Sequence, residues 1–194
     1  MRIVGGKFRG RPIVAPKGRD TRPTSDRVRE AVFNKLTHSS DCLPLEGAKV
    51  IDLFAGTGAQ GLEALSRGAQ YALFVETAAE ARGAIRQNVE AFGLQAATRI
   101  FRRDATDLGP AGARDSYQFA FLDPPYGKGL GEAGLRALAE GGWLVDGAVA
   151  VLEERSGVDL QLPSGFLVFD QRDYGDTTIT YLLYRHRSAE ASTS

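Results

Sequence analysis

The tetrapeptide Asp123-Pro124-Pro125-Tyr126 follows directly on the apolar run Tyr117–Leu122. It sets a carboxylate and a backbone carbonyl side by side, and its two prolines fix the chain so that both acceptors are aimed in advance. Such a pair suits the exocyclic amine of a nucleic-acid base. That amine is a poor nucleophile because its lone pair is delocalised into the ring. Acceptors on its N–H bonds, here the Asp123 carboxylate and the Pro124 carbonyl, pull it toward a tetrahedral form, with the lone pair directed at an electrophilic carbon. No strong general base is required, since the amine becomes acidic as the new bond forms. Tyr126 offers a ring face to a base displaced from its stack.

A second chemical stretch is Val50-Ile51-Asp52-Leu53-Phe54-Ala55-Gly56-Thr57-Gly58-Ala59-Gln60-Gly61. It opens as an apolar run without helical period, which suits a strand buried on both faces of a parallel sheet. It then breaks into glycines and resumes at helical spacing in Leu62, Ala64 and Leu65. Strand, glycine turn and helix together cradle a nucleotide, with unpaired N–H groups supplied by the helix N-terminus. Gly56-x-Gly58-x-x-Gly61 also satisfies the dinucleotide fingerprint, so the glycines alone leave the cofactor open. Asp52 narrows the choice. A carboxylate there would repel a pyrophosphate but could receive an ammonium group. S-adenosylmethionine carries an ammonium and a sulfonium and no phosphate.

Asp52, Glu76, Asp104 and Asp123 each end one of four successive predicted strands, so they line one rim of the sheet, where ligands bind in doubly wound folds. Glu76 can accept from both ribose hydroxyls. Asp104 can accept from the adenine amine while the Ala105 N–H donates to a ring nitrogen. The backbone at Ala55, Gly56 and Gly58 passes close to the methionine part.

The elements that must position these groups read as an α/β pattern. Predicted strands lie at Tyr71–Val75, Ala97–Arg102, Tyr117–Leu122 and near Ala148–Leu152. A capping box, Thr77-Ala78-Ala79-Glu80, opens a helix that runs to Phe92 and stops at Gly93. Another helix is expected near Gly131–Glu140. Alternating strands and helices imply a parallel, Rossmann-like sheet. Phe166–Tyr174 and Thr177–Tyr184 flank Gly175-Asp176 with no helix between them, so they form an antiparallel hairpin that a dinucleotide fold lacks. Upstream, Thr24 or Ser25 caps a helix whose buried face is Val28, Ala31, Val32 and Leu36. Earlier still, Phe8-Arg9-Gly10-Arg11 marks a small hairpin turn, with Phe8 available either to stack on a base or to anchor the hairpin.

Of 194 residues, 43% are hydrophobic and 25% charged, the balance of a globular domain with a real core. Net charge is zero, yet residues 1–30 hold nine basic residues against three acids, +6, which leaves −6 elsewhere. That asymmetry marks an anion-binding opening, with Lys7, Arg9, Arg11 and Arg19 as the expected RNA contacts. The expected organisation is a basic hairpin extension at 1–23, a domain at 24–187 and a disordered tail at 188–194. Cys42 is the lone cysteine, and neither His38 nor His186 neighbours an acidic cluster, so no metal site is expected. With no apolar stretch long enough to span a membrane and no signal-peptide core at the opening, a cytoplasmic monomer is expected.

Asp52-x-x-x-Gly56-x-Gly58 with Asp123-Pro124-Pro125-Tyr126 resembles the class I S-adenosylmethionine-dependent amino-methyltransferases. Gly5-Gly6-x-x-Arg9-Gly10-Arg11, Thr21-Arg22-Pro23-Thr24-Ser25-Asp26-Arg27-Val28-Arg29-Glu30-Ala31 and Arg172-Asp173-Tyr174-Gly175-Asp176-Thr177 are similar to the RsmD-type enzymes. Those enzymes methylate the N2 amine of one guanine in 16S ribosomal RNA. The resemblance implies a seven-stranded sheet, a basic N-terminal hairpin gripping RNA, and action on an assembled or partly assembled small-subunit particle. It also implies that the Arg22–Thr24 segment closes over the methionine end of S-adenosylmethionine. Competing readings are an adenine-N6 or protein-glutamine methyltransferase, a nicotinamide oxidoreductase and a non-catalytic RNA-binding module. The basic opening argues against a protein substrate and the absence of a separate reading domain against DNA. Asp123–Tyr126 and the lack of a hydride-handling acid argue against the oxidoreductase, and a binding module would leave the cofactor rim without purpose.

Overall fold

Strand β1 (Lys49–Leu53) lies inside a seven-stranded sheet, third from one edge. In the computed structural model, which describes residues 1–16, 26–40 and 42–186, it pairs in parallel with β2 (Tyr71–Val75) and β4 (Tyr117–Leu122). Beyond β2 lies β3 (Thr98–Phe101), and beyond β4 lies β5 (Leu144–Arg155), both parallel. The sheet is completed by β6 (Phe166–Tyr174) and β7 (Thr177–Tyr184) in the order β3-β2-β1-β4-β5-β7-β6. β7 inserts antiparallel between β5 and β6, and the expected Gly175-Asp176 turn joins the last pair. This is the Rossmann-like sheet closed by an antiparallel hairpin that the sequence pattern predicts.

Successive strand residues point to opposite faces. Val50 and Phe74 face a core built with α1 (Asp26–His38), α2 (Ala59–Ser66) and α3 (Ala79–Phe92). Ile51, Leu53 and Leu73 face a second core built with α4 (Leu130–Glu140) and Trp143. Both faces are covered, which is why β1 and β2 read as continuous apolar runs. Each fully buried Leu, Ile or Phe contributes about 1.5–3 kcal/mol, so these two layers hold the rim of the sheet rigid.

Several local expectations are revised. Thr98–Phe101 is shorter than the predicted third strand, because Gln95–Ala97 forms a 3-10 turn after the left-handed Gly93 that stops α3. β5 is much longer than predicted, at 12 residues. The capping box at the start of α3 is not formed. Ala78 occupies the cap position without a side-chain bond, and the Glu76 carboxylate accepts the Ala78 N–H instead, at 2.8 Å. On α1 the buried residues are Arg29, Val32, Phe33 and Leu36, whereas Val28 and Ala31 are only half-buried. Arg29 is 0% exposed. It donates from Nη2 to Asp26 at 2.7 Å and, through the same atom, to the Arg2 carbonyl at 2.5 Å, and its Nε lies 3.6 Å from the buried Glu63 carboxylate.

The N-terminal segment is a narrow antiparallel loop around a 3-10 turn at Gly6–Phe8, held by Ile3 N–H to Arg11 O (2.9 Å) and Gly10 N–H to Ile3 O (2.8 Å). It does not stand away from the domain. Ile3 and Ile13 are core residues, and Phe8 stacks on Phe92 of α3 with ring centroids 5.2 Å apart. Between stacking on a base and anchoring the loop, Phe8 does the second. Glu63 accepts the Val4 N–H at 2.9 Å, and Ser66 bridges the Phe8 N–H and the Gly5 carbonyl, at 3.0 and 2.6 Å. Asn88 of α3 brackets Val14, accepting its N–H at 2.8 Å and donating to its carbonyl at 3.0 Å; the same Nδ2 donates to the Thr57 carbonyl at 3.1 Å.

Candidate active site

The parallel register brings the rim together. Leu53 pairs with both Val75 and Leu122, and Val75 pairs with Phe101. One residue beyond this row stand Phe54, Glu76 and Asp123. Glu76 and Asp123 therefore flank the end of β1 from either side, about 10 Å apart at the backbone from two strand spacings. Asp52 lies one residue below the row, and Asp104 in the turn three residues past β3.

Between them the chain turns sharply. Phe54 takes φ 57°, the left-handed region that costs a non-glycine residue of order 1 kcal/mol. Its ring is half-buried in the core beneath α4. Gly56 follows at φ 54°, where an added Cβ would find only the Phe54 carbonyl oxygen within 4 Å, at 3.8 Å. The turn is thus open on its outer side. Gly58 caps α2 in the left-handed conformation, and Gly61 lies so close to β2 that a Cβ would stand 2.4 Å from the Phe74 ring.

Two carboxylates hold this turn. Glu76 Oε2 accepts the Gly56 N–H at 3.0 Å, and Asp52 Oδ2 accepts the Gly61 N–H at 3.0 Å. Asp52 is 2% exposed and Glu76 8%. Neither makes an ion pair with another described residue. Burial, with the charge of Glu76 nearby, pushes the Asp52 carboxyl up to about 8, against the pull of the Gly61 N–H. A site with buried acids, an open glycine turn and no neutralising base among the described residues favours a cationic ligand and disfavours a pyrophosphate. The residues present therefore fit S-adenosylmethionine. Asp104 is exposed, and its Oδ1 accepts from the Thr106 N–H and hydroxyl, both at 2.8 Å; Ala105 beside it is buried.

On the other side of β1, Asp123 is half-buried, Pro124 buried and Pro125 exposed. Tyr126 is not a loose ring. Its hydroxyl lies 2.7 Å from Glu153 Oε1 and 3.0 Å from Thr177 Oγ1. Burial raises the phenol well above its ordinary range, with Glu153 and Asp123 adding to the effect against the Thr177 hydrogen bond. Glu154 Oε1 accepts the Gly127 N–H at 3.0 Å. Glu153 and Glu154, at the end of β5, are 6% and 3% exposed and clamp the loop after Asp123. Sequence reasoning missed both. The signal was available, since they follow Ala148–Leu152 as Asp123 follows Tyr117–Leu122.

Of the basic residues expected to contact RNA, Lys7, Arg9 and Arg11 are exposed on the N-terminal loop. Arg11 is also used structurally. Its guanidinium lies 4.4 Å over the Phe92 ring and donates to the Ala91 carbonyl at the end of α3. Lys7 lies 4.8 Å over the Phe8 ring. Arg19, and Arg22 and Thr24 expected beside the methionine end, fall outside the described residues, as does the tail from 187 onward.

This geometry has known counterparts. The family described as conserved hypothetical protein 95 matches residues 1–183. Ribosomal RNA small subunit methyltransferase D of Escherichia coli (strain K12) is 35% identical over 164 residues, covering 84% of this chain and 78% of that protein. YlbH of Bacillus subtilis (strain 168) is 34% identical over 190 residues, 96% of this chain and 100% of its own. Among solved structures, yhhF from Escherichia coli superposes with a TM-score of 0.78 at 29% identity, covering 96% of this chain and 99% of that one. An RNA methyltransferase from Salinibacter ruber, in complex with S-adenosyl-L-homocysteine, shares the fold at a TM-score of 0.63 and 14% identity, over 89% and 99% of the two chains. Matched by the first over nearly its whole length and more than one-third identical to the second, this chain belongs to the ribosomal RNA small subunit methyltransferase D family.

Proposed function

We propose that the protein transfers a methyl group from S-adenosylmethionine to the exocyclic N2 amine of a guanine in 16S ribosomal RNA, carried by a small-subunit particle. The observation that carries this reading is the Asp123–Tyr126 loop, clamped by Glu153 and Glu154 beside a glycine turn that two buried carboxylates hold. S-adenosylmethionine supplies, when bound, an electrophilic methyl group on a positively charged sulfur. Asp52 and the backbone at Ala55, Gly56 and Gly58 would hold its methionine part, with Arg22 and Thr24 closing over it. Glu76 would hold the ribose, and Asp104 with Ala105 the adenine.

The chain's own contribution to the chemistry is positioning and charge. Asp123 and the Pro124 carbonyl accept the two N–H bonds of the amine and draw it toward a tetrahedral nitrogen. Because the loop is locked by proline and by the Tyr126–Glu153 hydrogen bond, little reorganisation remains for the reacting state. As the N–C bond forms, the nitrogen becomes cationic and its proton passes to the Asp123 carboxylate or to solvent. Tyr126, tied by its hydroxyl, presents its ring as a fixed platform for the flipped base. Lys7, Arg9, Arg11 and Arg19 would hold the RNA backbone.

The test is methyl transfer to small-subunit particles from cells lacking the enzyme, with nucleoside mass spectrometry of the product. Wild-type protein should yield N2-methylguanosine, and Asp123→Ala should lose transfer by at least 100-fold while binding S-adenosylmethionine within about threefold of wild type. A different methylated nucleoside, or full transfer by the variant, rejects the assignment.

A further inference from the structure

A basic-aromatic depression lies outside the cofactor rim, between α1 and the β6–β7 hairpin. It encloses about 380 Å³, and Lys35, His38, Arg172, Tyr174 and Tyr181 line it. On α1, positions 27, 31, 35 and 38 fall within one 80° arc at 100° per residue. Arg27, Lys35 and His38 therefore form a basic stripe that starts beside the N-terminal loop, where Asp26 contacts Arg2, and ends in this cleft. Arg172 stands across it on β6, with 58% of its side chain exposed. Asp170 lies between the two cations, 2.6 Å from Lys35 and 3.2 Å from Arg172, holding both heads at the cleft and offsetting one of their charges.

One feature of the cleft is unsatisfied. Tyr181 is 0% exposed, and its hydroxyl has no hydrogen-bond partner among the described residues. Burial raises that phenol above its ordinary range, with Tyr174, Asp170 and Cys42 adding to the effect against Arg172. A buried donor left unpaired costs about 1–3 kcal/mol, which an incoming acceptor would recover. Tyr174 adds an aromatic face, and two cations add charge. This combination matches a ribose-phosphate segment of RNA, with an anionic oxygen for Lys35 and Arg172 and a base for Tyr174.

We infer that this cleft is a second RNA contact, taking a backbone phosphate and its nucleotide at a distance from the methylated base. The inference rests on the proposed ribosomal RNA substrate. Binding of Lys35→Gln, Arg172→Gln and Tyr181→Phe proteins to small-subunit particles from cells lacking the enzyme tests it, across 50–200 mM salt. The two charge variants should each bind about 3–10-fold more weakly, with the slope of log K against log salt reduced by about 1. Tyr181→Phe removes an unpaired hydroxyl, so a purely structural role predicts unchanged or higher thermal stability and unchanged RNA affinity. A contact instead predicts about a fivefold rise in KM for the particle, with kcat and S-adenosylmethionine binding unchanged. Wild-type salt slopes in both charge variants, or wild-type KM in Tyr181→Phe, overturn the inference while leaving methyl transfer intact; if an acidic protein segment fills the cleft, deproteinised 16S RNA will not respond to the variants, which also overturns it. Failure of the wild-type protein to methylate the particle would instead reject the proposed function.

Discussion

Replacing Asp52 by asparagine separates the electrostatic cost of the cofactor site from its architecture. Asparagine keeps an acceptor for the Gly61 N–H, 3.0 Å away, and removes only the charge. With burial placing the carboxyl at about 8 instead of 3.8, the folded protein holds this proton through a pH range where the unfolded chain has released it. Stability from that source is full below pH 4, falls as pH rises, and is lost by pH 8. At roughly 1.4 kcal/mol per pH unit the loss has a ceiling of about 6 kcal/mol, and solvent reaching the open turn brings the expected value to about 3 kcal/mol. At 2–4 °C per kcal/mol for a domain of this size, Asp52→Asn should melt about 6–12 °C higher at pH 8 without ligand, and together with wild type at pH 4. The same variant should bind S-adenosylmethionine at least tenfold more weakly. In wild type, the affinity should rise with pH up to about 8, because binding a cation there releases a proton. Calorimetric melts from pH 4 to 9, paired with titrations in buffers of different ionisation enthalpy, read both effects. Parallel melting curves for the two proteins across that range would refute the reasoning.

Tyr126→Phe removes one hydrogen bond to a buried carboxylate and leaves Glu153 short of a partner, so methyl transfer should slow about 10–100-fold with cofactor binding little changed; single-turnover rates check it. Arg29→Met takes the guanidinium from Asp26 and the Arg2 carbonyl, while Arg67 at 2.7 Å and the Val4 N–H still hold the buried Glu63, so it should cost about 1–3 kcal/mol by denaturant unfolding. Arg9→Glu should weaken particle binding and flatten its salt dependence at unchanged stability. Arg11→Glu should do both that and lower the melting temperature, because Arg11 also packs on Phe92 and bonds Ala91; filter binding with parallel melts distinguishes the two.

The rim of the site was largely legible in the sequence because it repeats one signal. An apolar run ending in an acid marks Asp52, Glu76 and Asp123, and parallel pairing aligns the ends of such runs. The hairpin at 166–184 was legible because no helix separates its halves. β5 was read short because Asp146 and Gly147 interrupt its apolar pattern, and the strand carries them in an irregularity where its register against β4 jumps from Leu144 to Val149. Arg29 is not in the buried face read from the sequence, although Val32, Phe33 and Leu36 lie three, four and seven positions on, the spacing of a buried stripe. Its charge hid the pattern, and Asp26 on the same helix and the Arg2 carbonyl satisfy that charge beside the buried Glu63. The capping box failed because the helix starts one residue later than the box requires, with Ala78 instead of Thr77 at the cap. The left-handed Phe54 left no trace, since nothing about a phenylalanine announces that conformation.

The placement of β7 bears on how the enzyme comes into being. It is the last strand of the sheet to leave the ribosome, yet it fills the slot between β5 and β6 and brings Thr177 to the Tyr126 hydroxyl. Until residues 177–184 emerge, β5 has a bare outer edge, and the Asp123–Tyr126 loop lacks one of its tethers. A nascent chain whose residues 177–184 have not yet emerged thus carries an incompletely tethered Asp123–Tyr126 loop.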